Sequence, residues 1–188
     1  MRRILFLALL TSTWLLPRDA SADVVLPITP DPADCVADPI DIETLVALAS
    51  GFATPVALAV QTPLAGTPTS ELLDRLTEVV VASTACTNAN QPLRALSYFT
   101  EDYLLDRISD EPAITLGHLQ AAASRHPDVA AVEDRVTITS LSAGPTGDGA
   151  AFLEVGTLAG TEAQVVSLRL IVEDTVWRID QVSEAIID

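Results

Sequence analysis

The sequence contains no lysine, and its 10 basic residues, all arginine, face 26 aspartates and glutamates, a formal net charge of -16. A chain this acidic is repelled by phosphate backbones and by anionic lipid surfaces, which excludes nucleic acid as a partner. Histidine is almost as scarce. His118 and His126 are the only two, and on a helix over 115–126 they stand about 12 Å apart along the axis, too far to share one ion. The only two cysteines, Cys35 and Cys86, have no histidine or second cysteine at ligand spacing, so neither a metal centre nor a cofactor is expected. No G-x-S-x-G elbow supplies a serine nucleophile. The glycines of GPTGDG (144–149) lack the Lys-Ser/Thr of a phosphate loop and sit between strand-like runs, where they serve a hairpin. Glycosylation sequons, internal repeats and low-complexity tracts are also missing.

Long apolar runs are confined to the start of the chain. Arg2-Arg3 precedes an apolar stretch over 4–16, and Ala20-Ser21-Ala22 gives the small–x–small pattern of a signal peptidase site, so residues 1–22 read as a signal peptide cleaved before Asp23. Roughly 13 apolar positions fall short of the ~20 that a bilayer span needs. Cleavage would leave 25 acidic against 7 basic residues, a net charge of -18. The expected product is a secreted, extracytoplasmic protein with no membrane insertion after cleavage. At 49% hydrophobic the full chain has the composition of a folded protein, not of a disordered one.

Residues 23–67 read as an extension. A proline-punctuated start leads to a short helix over 41–50, capped by Asp41 and ended by Gly51, and then to a Pro/Ala/Thr linker. In an exported protein an even cysteine count favours a bridge. Pairing Cys35 with Cys86 would close a loop of ~50 residues, worth about 4 kcal/mol in the chain-entropy description, and would staple the extension to the domain.

The domain proper is expected over 68–184, with a tail at 185–188. Leu72, Leu76, Val79, Val80, Ser83 and Cys86 recur at helical spacing behind a Thr69 or Ser70 cap, and Asn88-Ala-Asn90-Gln-Pro92 stops that helix. Leu93, Leu96 and Phe99 restart a short helix, an extended segment is expected to begin near 106–108, and 115–126 reads as a third helix. The runs 135–141, 150–158, 163–172 and 176–182 alternate as strands joined by hairpin turns. The layout is α+β, with three N-terminal helices packed on an antiparallel sheet.

The ACTNAN helix end, the following QPLRALSYFTEDYLLDRI and the closing TVWRID strand resemble the nuclear-transport-factor-2-like superfamily, which includes ketosteroid isomerase and the SnoaL-like cyclases. The resemblance covers about residues 68–183. It implies a cone-shaped, cystatin-like roll whose curved sheet and helices enclose a pocket. On the isomerase pattern the oxyanion-donating tyrosine falls at Ser83. The general-base aspartate falls at Arg107, with Asp106 one position earlier. Candidate pocket residues are Ser83, Phe99, Tyr103, Phe152 and Trp177, with Tyr98 a further ring; core packing is the competing reading of each ring. Candidate acid–base groups are Asp102, Asp106, Tyr98, Tyr103 and His118. Three readings stay open. They are a non-catalytic exported domain that binds a small apolar ligand or forms a homodimer through its sheet, an isomerase, cyclase or dehydratase, and a cell-surface protein-interaction module.

Overall fold

Both faces of the architecture follow from two periodicities, 3.6 in the helices and 2 in the strands. The computed structural model describes residues 27–50, 69–109, 112–124, 129–144 and 149–184. The signal peptide, the linker, His126, most of the GPTGDG loop and the 185–188 tail lie outside the described residues.

The elements run α1 (Ile42–Ala49), α2 (Ser70–Asn88), α3 (Pro92–Leu96), α4 (Glu101–Ser109), α5 (Pro112–Ser124), β1 (Val136–Ala143), β2 (Ala150–Ala159), β3 (Glu162–Glu173) and β4 (Val176–Glu184). The fold is α+β, with a four-stranded antiparallel sheet in the order β1-β2-β3-β4. One correction concerns the stretch after Phe99. Residues 101–109, where an extended segment was expected to begin, form α4, so four helices and not three lie between 70 and 124 among the described residues. Thr100 Oγ1 accepts the Tyr103 N–H at 3.2 Å as an N-cap, and Glu101 and Asp102 sit in the first turn, where the dipole favours anions. Leu104 and Ile108, four apart, bury against Leu45 of α1.

Thr69 caps α2, its Oγ1 accepting from Leu72 N at 3.2 Å. At the other end Asn90 takes the left-handed conformation (φ 54°) and Gln91 N donates back to Cys86 O at 3.0 Å, closing the helix as its sequence implied. Leu73, Leu76 and Val80 of α2 pack on Ile138, Leu141, Leu153, Val155, Leu168, Leu170 and Ile179 of the sheet. Leu73 is buried at the centre of this stripe, and the expected Leu72 lies at its partly exposed margin. A second core joins α1, α4 and α5 around Leu45, Leu104 and Ile108.

The strands alternate inward and outward, with two interruptions. The register slips at Ile138/Ser140 of β1 and where Arg169 and Leu170 of β3 meet β4. Such bulges bend a strand and raise its twist. Gly156 lies opposite the first of them. A Cβ there would come within 2.4 Å of Ser140 Oγ and 2.8 Å of Thr139 Oγ1, so a larger residue would require both hydroxyls to swing aside. Each sheet edge receives a single-residue bridge. Ile28 pairs antiparallel with Ile138, and Phe99 pairs parallel with Ile179.

Candidate functional site

The Phe99 bridge sets up the most chemically varied region of the molecule. Ile179 N donates to Tyr98 O at 2.8 Å and Thr100 N donates to Ile179 O at 3.0 Å, clipping residues 98–100 along β4. This places Tyr98 and Phe99 beside the end of the β3–β4 hairpin. The hairpin turn is the residue pair Asp174–Thr175, both left-handed at φ 49° and 71°, as a two-residue turn between twisted strands requires. A β-branched threonine in that conformation carries a strain of about 1–3 kcal/mol.

Between this turn, the start of α4 and the approach to α1 lies a cavity of about 530 Å³. Tyr98, Phe99 and Trp177 supply its aromatic wall. Among the described residues its charged lining is Asp38, Glu101, Asp102, Glu173 and Asp174 against the single cation Arg178. Glu173 is the buried member, 7% exposed. Burial pushes its carboxyl above the usual carboxylate range; the Arg178 guanidinium pulls it back down, the charges of Glu101 and Asp174 add to the rise, and the Glu101 backbone N–H that it accepts opposes it. Arg178 is tied at two points. Its Nη1 donates to Ser97 O, and its Nε lies 2.9 Å from Glu173 Oε2, an ion pair off the hydrogen-bonding axis that leaves this buried N–H without a hydrogen-bond acceptor among the described residues. Burial also raises the Tyr98 phenol, which stays protonated at neutral pH. Next to this wall, Asp180 accepts from Thr100 Oγ1 at 3.2 Å and pairs with Arg169, fixing the α4 cap to β4.

The cavity gathers Tyr98, Phe99, Asp102 and Trp177 from the sequence candidates and leaves the others elsewhere. Tyr103 stacks on Phe99, ring centroids 4.7 Å apart, and faces an adjoining cavity of about 280 Å³ lined also by Arg107 and Leu119. Ser83 is buried on α2 and does not line the main cavity. Phe152 is 39% exposed, because the strand period that turns Leu153 into the core turns its neighbour out. Asp106 on α4 and His118 on α5 are exposed. The positions that the isomerase pattern assigns to oxyanion donor and base are thus not brought together. Glu173, Glu101 and Arg178 escape the sequence reading. Glu173 sits in an IVEDTVW stretch that reads as an exposed turn, and its burial comes from α4, about 70 residues earlier in the chain.

Cys35 and Cys86 form a disulfide. Among the described residues, no group of three or more His, Cys, Asp or Glu is placed to hold a metal ion, and no helix is long and apolar enough to cross a membrane. No family model, curated protein or solved structure matches the chain.

Proposed function

We propose that this chain is a secreted, extracytoplasmic, non-catalytic domain of the nuclear-transport-factor-2-like kind, with a cone-like roll of sheet around α2, and that it binds a small organic molecule. The observation that carries the reading is the cavity of about 530 Å³ walled by Tyr98, Phe99 and Trp177. Its volume falls in the ~300–1,000 Å³ range of small-molecule sites, which join apolar walls to a few placed polar groups. The disulfide fits an oxidising compartment and so supports export. The scattering of Ser83, Asp106 and His118 away from the cavity supports binding over isomerase-like proton transfer, since a base must lie within hydrogen-bond reach of its proton.

Fragment screening by NMR on the disulfide-bonded protein tests the reading. Aromatic fragments are expected to shift the Trp177 indole N–H and the Tyr98 amide and to leave Phe152 unmoved. Shifts confined to the Phe152 face would replace the reading with that of an interaction surface. One observation favours an enzyme as the second reading: Tyr98 and Asp102 line the same cavity. Turnover of a bound fragment that is lost in both Tyr98→Phe and Asp102→Asn would establish it.

A further inference from the structure

The cavity sorts ligands by charge. We propose that its ligand is an organic cation, a protonated amine carried on an aromatic or alkyl body; this rests on the binding-domain reading above. Rings and carboxylates meet here in one concave wall. Tyr98, Phe99 and Trp177 line it, and aromatic rings attract cations held over their faces within about 6 Å of a ring centroid. Asp38, Glu101, Asp102 and Asp174 are exposed at the same wall and, among the described residues, have no guanidinium paired with them there, because Arg178 is held by Ser97 O and Glu173. An anionic ligand would therefore meet four rim carboxylates against one guanidinium that is already paired with Glu173. The N-terminus of α4 points the other way, since a helix start attracts anions. Its effective charge is only about half a unit, and it is already met by Thr100 Oγ1, the Glu173 carboxylate and the first-turn Glu101 and Asp102. Four rim carboxylates outweigh that half charge. Low-dielectric walls focus such a field into the cleft and raise the local concentration of cations.

The test uses three probes of nearly equal shape and different charge, tryptamine, tryptophol and indole-3-acetate, titrated calorimetrically into the full disulfide-bonded chain. Tryptamine is expected to bind about tenfold tighter than tryptophol, with indole-3-acetate weakest, the preference shrinking as salt rises. Glu101→Gln combined with Asp102→Asn, which leaves Asp38 and Asp174 at the rim, should cut the preference for tryptamine over tryptophol from about tenfold to about threefold. Both side chains are exposed and neither makes the cap hydrogen bond, which Thr100 Oγ1 supplies; losing their first-turn charges costs about 0.3–1 kcal/mol each, so the fold is expected to survive the change. Asp74→Asn with Glu78→Gln, equally exposed on α2 and outside the cavity lining, removes the same charge and should leave the preference intact. If that α2 pair cuts the preference equally, the effect is bulk charge and the inference falls. Equal binding of tryptamine and tryptophol, or tightest binding of indole-3-acetate, overturns the cation inference and leaves the binding-domain reading standing. Failure of all three probes to bind removes both.

Discussion

The two edges of the sheet are closed by opposite means. Along β1, the strand-like Ile28 exchanges two backbone hydrogen bonds with Ile138, at 2.9 and 2.7 Å. Asn88 then locks the junction. It donates to Pro30 O at 3.0 Å and to Val136 O at 3.1 Å, and it accepts from Val136 N at 2.8 Å, all while 1% exposed. The Cys35–Cys86 bridge ties the same segment to α2. Along β4, residues 98–100 make two backbone hydrogen bonds of their own to Ile179, and the reinforcement is by charge: Arg178 with Glu173 and Ser97 O, and Asp180 with Arg169 and Thr100. Both devices protect an edge that would otherwise template aggregation. Only the second leaves the large cavity beside it. Neutral hydrogen bonds and a covalent link can be packed to full density. Half-buried ion pairs need nearby solvent or compensating partners, and the cavity lies beside Arg178 and Glu173.

Breaking the covalent member of the β1 edge should have the largest effect. A separation of 51 residues makes the disulfide worth about 4 kcal/mol through the unfolded chain. Cys35→Ala with Cys86→Ala is therefore expected to lower the urea unfolding free energy by about that amount. The Trp177 environment, on the opposite edge, should keep its native fluorescence before the transition. A loss under about 1 kcal/mol would show that the hydrogen-bonded clasp holds this edge without the bridge.

Asn88→Ala comes next. It would orphan the Val136 N–H and remove donors from Pro30 O and Val136 O, at a cost of about 3 kcal/mol for the three bonds together. Amide exchange at Ile138 should quicken as Ile28 detaches, and exchange at Ile179 should not. Equal acceleration at both would show that the edges open as one unit and dissolve the contrast.

What the sequence makes legible depends on the range of the forces involved. Strand alternation, the Thr69 and Asp41 caps and the Asn90 left-handed stop depend on neighbours within a few residues, and the structure places each as its local pattern implies. The α4 segment EDYLLDRI is helical in its own spacing, with Leu104 and Ile108 four apart behind an acidic first turn, so the expected extended segment does not follow from its pattern. What the pattern does not show is that Leu104 and Ile108 meet Leu45, a contact no local window contains. Tyr98, Phe99 and Trp177 are legible as rings seeking burial. The Asn88 clasp is not, since its partners lie 48 and 58 positions away, and a polar residue at a helix end ordinarily signals only a stop. Glu173 is hidden for the same reason.

The smallest effect, and the one that most sharpens the contrast, belongs to Glu173. Its folded-state affinity for a proton is raised, first by burial, so the folded protein binds more protons there than the unfolded chain. Stability from this group is thus present at low pH and is lost as pH rises through the ordinary carboxylate range toward the raised folded value. Glu173→Gln keeps an acceptor for the Glu101 N–H and cannot ionise. Its stability relative to the parent protein should rise as pH climbs through the ordinary carboxylate range, with the opposing pull of Arg178 limiting the rise. Urea unfolding at several pH values reads this directly. A fall over the same interval would mean that the Arg178 ion pair outweighs burial. The β4 edge would then be a clasp as self-sufficient as the β1 edge, not one left in electrostatic tension beside its cavity.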